Sequence, residues 1–146
     1  GPGDLYTSIL ANCVVLGFKE AISESTACVV YVCNLMSKRG QTVGMHAHEH
    51  VIEIQKHIGR APDFALINTA TFAEDLVAKY QAVGDHPILN NCDGEVCTIE
   101  ARPFASKEEV VLGTSDVVKR SLIRHDSDLL ADALISILNK EELIGS

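Results

Sequence analysis

The sequence predicts an α/β fold built on a largely parallel sheet. Three observations carry this: a continuously apolar run at Cys28-Val29-Val30-Tyr31-Val32-Cys33, a second at Phe64-Ala65-Leu66-Ile67, and a helical apolar period between them. Continuous apolar runs suit strands covered on both faces, where no side chain meets water. Strand, helix and strand in succession make a βαβ unit, which should cross over right-handed.

The chain opens on Gly1-Pro2-Gly3-Asp4-Leu5-Tyr6-Thr7-Ser8-Ile9, a glycine-rich turn leading into hydroxyl side chains and then apolar residues. Glycine lets backbone come close to a ligand, Thr7 and Ser8 offer hydroxyls, and a following helix would present N–H groups to an anion. Such loops ordinarily follow a buried strand. Because this one starts at residue 1, the fold is expected to be incomplete on its N-terminal side. Between the two apolar runs, Ala47, Val51, Ile54 and Ile58 recur at helical spacing and stop at Gly59. Beyond the second run, Thr71 and Glu74 fit a capping box, with Phe72, Leu76 and Val83 expected on a buried side before Gly84. Ile88-Leu89, Val96–Glu100 and Val110-Val111-Leu112 are expected to form short strands. Asp126 is a plausible N-cap for a last helix whose apolar stripe is Leu129, Leu130, Ala133, Leu134, Ile137 and Leu138.

Composition narrows the function. The 146 residues are enough for one domain with a real core, and 47% hydrophobic with 22% charged residues is ordinary for a globular protein. A net charge of −8 argues against nucleic acid as a partner, because phosphate surfaces need clustered Lys and Arg. Lys38-Arg39 and Lys119-Arg120 read as solvated loop charges. The longest apolar stretch, Ile9 to Phe18, contains Asn12 and is too short to cross a bilayer, and no leader peptide is legible. No membrane partner is therefore expected. Five cysteines without CxxC spacing read as reduced core residues, which points to the cytoplasm.

Ligands of open parallel sheets bind outside the carboxyl ends of the strands. Asn34 follows the first strand and Asn68 the second, and each amide either contacts a base or sugar or caps its own turn. Tyr80 either stacks on a base or packs half-buried in the core. Arg124, in Arg124-His125-Asp126 ahead of the last helix, either grips a diphosphate or carboxylate or pairs locally with Asp126 or Asp128. His46-Ala47-His48-Glu49-His50 invites a metal. An extended segment would put its three histidines on one face; a helical one would align only His46 and His50, with His50 and His57 at the flank of the apolar stripe. No Ser-His-Asp, Cys-His or paired-carboxylate arrangement and no Walker loop is legible, so catalysis has little direct support.

Taken together, GPGDLYTSI, VVYVCNLMSKRGQT, His50-Val51 and IRHDSDLLADAL resemble the CofD/YvcK-like family, in particular its YvcK branch of gluconeogenesis factors. That branch reads GPGSLYTS, VYVCNLMTQPGET, a DHV-like helix start and a closing RHD. Asp4 stands where the pattern has serine, Ser37-Lys38-Arg39 where it has Thr-Gln-Pro, and Gln41 where it has glutamate. The resemblance implies a Rossmann-like three-layer sandwich, of which residues 1–146 are the C-terminal portion of a nucleotide-binding domain. It also implies a regulatory protein of carbon metabolism and cell shape that binds a UDP-N-acetylglucosamine-type ligand, without established catalysis. The alternative it implies is a 2-phospho-L-lactate transferase of deazaflavin coenzyme biosynthesis. Carried over by motif, Tyr80 and Arg124 would hold the UDP-sugar, with Gly3, Thr7, Ser8 and Asn34 facing the same crevice. An exposed sheet edge would favour a homo-oligomer.

Overall fold

The computed structural model describes residues 2–107 and 122–144. Three strands, β1 (Val30–Val32), β2 (Phe64–Asn68) and β3 (Thr98–Arg102), form one parallel sheet in the order β1-β2-β3. Val32 pairs with Leu66, and Leu66 with Glu100. As the central strand β2 is hydrogen-bonded on both edges, and Phe64 to Ile67 are all buried. That explains its unbroken apolar run, since neither face meets water.

Successive residues of a strand point to opposite faces, and two packed clusters follow from this. Tyr31, Cys33, Ala65 and Ile67 meet the buried face of α3 (Ala47–Ile58) together with Leu5 and Leu10. Those two residues come from a π-helical turn (Leu5–Ile9) and from α1 (Leu10–Cys13), and Phe18 and Ile22 of α2 (Phe18–Glu24) pack against the same cluster. On the other face Phe64 and Leu66 meet Phe104 and, from α5 (Ser127–Ile144), Ala133 and Ile137. Helix, sheet, helix is the expected three-layer sandwich.

Helix α3 spans the predicted interval and ends at Gly59. Its start is fixed by Glu49, whose carboxylate accepts the His46 N–H at 2.8 Å. That bond holds the Glu49 pKa below its usual range. For α5, Asp126 is the expected cap: its carboxylate accepts the Asp128 and Leu129 N–H groups at 3.0 and 3.1 Å.

Several elements differ from expectation. Helix α4 runs Glu74–Gln81 from an Ala73 N-cap with no side-chain cap bond, so Thr71 does not cap it. Phe72 instead packs beside Leu76 and Tyr80 against Leu35 and Ile123, which keeps the chain extended one turn longer. Val83 lies beyond the helix and is 48% exposed. Ile88-Leu89 is not a strand. Pro87 has no N–H to extend a ladder, and this segment makes one isolated antiparallel bridge, Met36 with Pro87, plus an Ile88 N–H bond to the Leu35 carbonyl at 3.0 Å. The third strand starts at Thr98 rather than Val96 and reaches Arg102. Only part of the α5 stripe is covered: Leu129, Leu134 and Leu138 are exposed. Val110-Val111-Leu112 lies outside the described residues. No single described helix is long and apolar enough to cross a membrane, although Leu5–Cys13 and Phe18–Glu24 meet that test as a pair bent by 77°.

Candidate functional site

The loops after the strands converge at one end of the sheet. Residues 34–39 follow β1, residues 69–72 follow β2, and residues 103–106 follow β3, with 122–125 alongside the last. Asn34 ties the opening turn to this end: its side-chain N–H donates to the Gly3 carbonyl at 2.8 Å. The Asn34 Oδ1 is buried with no protein donor. Gly3 is required by close approach, since a Cβ there would lie 2.5 Å from the Ser8 Cβ. Thr7 and Ser8 sit exposed on the turn Leu5–Ile9, and the opening turn contributes Asp4, rather than either hydroxyl, to the cleft wall. Asn68 works locally. Its Oδ1 accepts the Ala70 and Ala105 N–H groups at 3.1 and 3.0 Å, and its Nδ2 donates to the Ala70 carbonyl at 2.9 Å.

Tyr80 connects α4 to the segment that carries Arg124. Its hydroxyl oxygen accepts the Leu122 and Ile123 N–H groups at 2.9 and 3.1 Å. The next residues are tied to the strand ends by their own polar groups. The Arg124 carbonyl accepts the Ser106 N–H at 2.8 Å, and the Asp126 N–H donates to the Phe104 carbonyl at 2.7 Å. The His125 Nε2 donates to the Cys33 carbonyl at 3.1 Å, and burial pushes the pKa of this imidazole down. Tyr80 is thereby tied to the segment that carries Arg124, 44 positions further on, whose side chain is exposed. Removing the hydroxyl with Tyr80→Phe should cost about 1–3 kcal/mol, because two N–H groups lose their acceptor. Urea denaturation measures this; an unchanged midpoint would mean that water replaces the hydroxyl there.

The cleft measures about 590 Å³ and is walled by Asp4, Met36, Lys38, Arg39, Lys79 and Tyr80 among others. Lys38 and Arg39, which in sequence resemble plain solvated charges, are exposed but stand at its edge together with Lys79. Their placement just past the end of β1 is the signal that could have found them. A second, more apolar pocket of about 470 Å³ lies between residues 68–72 and 87–90.

The histidine segment is partitioned among structural tasks. His46 precedes α3 and its Nδ1 accepts the Leu89 N–H at 3.3 Å. The His48 N–H donates to the Asn91 side chain at 2.8 Å. His50 belongs to the buried face itself rather than to its flank, with Nδ1 3.1 Å from the Tyr31 hydroxyl. His57 Nδ1 bonds back to the Glu53 carbonyl at 2.8 Å. Among the described residues, no three His, Cys, Asp or Glu side chains converge on a point that could hold a metal ion. None of the five cysteines is in a disulfide, and Cys33 and Cys97 are buried. Burial pushes the Cys33 thiol up to about 12, so it is no nucleophile at neutral pH.

The parallel sheet is covered by helices on both faces, and the cleft with Lys38, Arg39 and Lys79 on its wall opens beside the loops after its strands. The family model described as 2-phospho-L-lactate transferase CofD matches residues 1–106, and the chain belongs to that family. A Thermotoga maritima relative is 38% identical over 134 residues, covering 92% of this chain and 41% of its own length. The gluconeogenesis factor of Bacillus subtilis is 30% identical over 141 residues, covering 96% of this chain and 42% of its own. A crystal structure of a UPF0052 family member from Bacillus halodurans superposes with a TM-score of 0.78 at 29% identity, over 92% of this chain and 41% of that one. The chain thus spans about 41% of the length of the first of these relatives.

Proposed function

We propose that this chain forms the ligand-binding wall of a regulatory protein of carbon metabolism and cell shape, and that its ligand is a nucleotide sugar of the UDP-N-acetylglucosamine type. The observation that carries this reading is the Tyr80 hydroxyl bound to the backbone just ahead of Arg124. It ties a ring on the cleft wall to the segment that carries a guanidinium, and in this reading the two meet the base and the diphosphate of one ligand. The relatives named as gluconeogenesis factors support the regulatory assignment. In this reading Gly3 and Asn34, bonded to each other next to Asp4 of the cleft wall, face the same ligand, with Thr7 and Ser8 further along the same turn as hydroxyl donors.

The second reading, a phospholactate transferase acting on a deazaflavin, is favoured by the family model that spans residues 1–106. The two readings separate in one pair of assays on the full-length protein. The regulatory reading expects saturable binding of UDP-N-acetylglucosamine and no phosphodiester product from deazaflavin plus an activated phospholactate donor. Turnover in the second assay would replace it by the transferase.

A further inference from the structure

Positive charge is scarce in this chain, and one closed loop brings a share of it to the cleft. The loop from Ser37 to Thr42 is held internally by the Lys38 N–H to the Thr42 hydroxyl at 2.7 Å and by the Thr42 N–H to the Lys38 carbonyl at 2.9 Å. It is docked on the residues after α4. The Ser37 N–H donates to the His86 carbonyl at 2.7 Å, the His86 N–H to the Ser37 hydroxyl at 2.8 Å, and the Arg39 N–H to Asp85 Oδ1 at 2.7 Å. Ser37, Thr42 and Asp85 are all buried. Gly84 lets the Arg39 stem lie across it: φ is +87°, and a Cβ there would come 2.9 Å from the Arg39 Cδ. Backbone and stem together therefore set where this guanidinium points.

The charges at the cleft are not equivalent. Lys38 Nζ stands 3.9 Å from Asp85 Oδ2, so part of its charge is answered. Lys79 is in the last turn of α4 and offsets the partial negative charge of that helix end. Arg39 carries the surplus, since Asp85 meets its backbone N–H and, among the described residues, no carboxylate pairs with its guanidinium. A single small anion would gain little here, with Asp4 also on the wall. An anion long enough to reach both Arg39 and Lys79 gains from each cation, and a cleft of about 590 Å³ has room for it.

We propose that the Lys38–Arg39 loop, set in place by Asp85, is a diphosphate subsite, with Arg39 and Lys38 touching the ligand at one end and Lys79 at the other. Asp85 is its positioning residue and also limits its charge. Where the ligand is the nucleotide sugar this assignment rests on the reading above, but the subsite itself is addressed by inorganic pyrophosphate alone.

The test is calorimetric titration of the full-length protein with pyrophosphate, phosphate and UDP-N-acetylglucosamine at low and high salt. Wild type should bind pyrophosphate more tightly than phosphate. The double variant Lys38→Ala/Arg39→Ala should weaken pyrophosphate and the nucleotide sugar by about tenfold or more and flatten the salt dependence, at the scale of lost charge-assisted hydrogen bonds. Because both side chains are exposed, its thermal midpoint should hold. Asp85→Asn keeps an acceptor for the Arg39 N–H while removing the charge, and should tighten pyrophosphate; Asp85→Ala releases the loop and should weaken it. A purely structural Asp85 would give both variants the same sign. If wild type fails to bind pyrophosphate, or the double variant binds every ligand as wild type does, the subsite is wrong. If the nucleotide sugar fails to bind while the pyrophosphate pattern holds, the subsite stands and the nucleotide-sugar reading falls. If the sugar binds equally to wild type and double variant, the reverse follows.

Discussion

Phe104→Ala should destabilise the protein by about 3–5 kcal/mol, the range for deleting a fully buried aromatic ring. Phe104 has no exposed surface and lies between Phe64 and Leu66 of β2 and Ala133 and Ile137 of α5. Ala133 is too short to refill the space, and Phe64, Leu66 and Ile137 are held by their own strand and helix, so the cavity should persist. The Phe104 carbonyl, which alanine keeps, takes the Asp126 N–H ahead of α5, so any collapse of this segment into the cavity also moves the start of that helix. Urea denaturation followed by circular dichroism measures the cost. A loss below about 1 kcal/mol, the scale of a minor core trimming, would mean that α5 is not packed on the sheet as described.

The second large effect is on pH. Burial lowers the His50 pKa from 6.5 to about 4, with the neighbouring Glu49 opposing the shift and His46 adding to it. The Nε2 is buried without an acceptor, so a second proton on this ring would have nowhere to bond. Between pH 6.5 and about 4 the unfolded chain therefore binds the proton that the folded chain refuses. The contribution is fully present above pH 6.5 and is lost as pH falls through that window, at up to about 1.4 kcal/mol per pH unit. His125, also lowered by burial, acts in the same direction. Comparing wild type with His50→Leu isolates the first histidine: the variant should lose less stability between pH 7 and pH 5. Equal losses in the two proteins would contradict the assignment.

How much of this was legible in sequence depends on how local each signal is. The strand β2 and helix α3 stand out because each obeys one period along its whole length, and the Asp126 cap because it is a contact within one turn. The start of α4 misleads for the opposite reason. Thr71 and Glu74 have capping-box spacing, yet the burial of Phe72 against Leu35 and Ile123 is a tertiary contact that no local pattern encodes. The α5 stripe has the right period but only Ala133 and Ile137 are covered well, since the apolar side chains of the sheet that meet this helix come from β1 and β2. The three histidines of 46–50 look alike in sequence and part in the fold, where one lies in the core and the other two meet the loop at 89–91.

At the site the same distinction holds. Asn34, Tyr80 and Arg124 were singled out by motif, and the structure relates them through bonds to Gly3 and to the 122–123 backbone that only the folded chain shows. Lys38 and Arg39 are marked only by following β1, and nothing in sequence joins Lys79 to them, because it comes from a separate segment that shares the cleft wall only in the fold. Asp85 is invisible for a further reason: its partners lie 46 and 47 residues away in sequence and meet it only where the loop after β1 docks on the residues after α4.

The most direct measurement is a calorimetric titration of UDP-N-acetylglucosamine into the full-length wild type and into Arg124→Ala. The Arg124 side chain is exposed but the residue also bonds within the protein, so the thermal midpoints of both proteins are measured alongside, to separate lost binding from lost stability. The account predicts saturable binding to wild type and a dissociation constant about tenfold or more higher in the variant, the scale of losing a charge-assisted contact. No binding at millimolar ligand, or equal affinities in the two proteins, would contradict it.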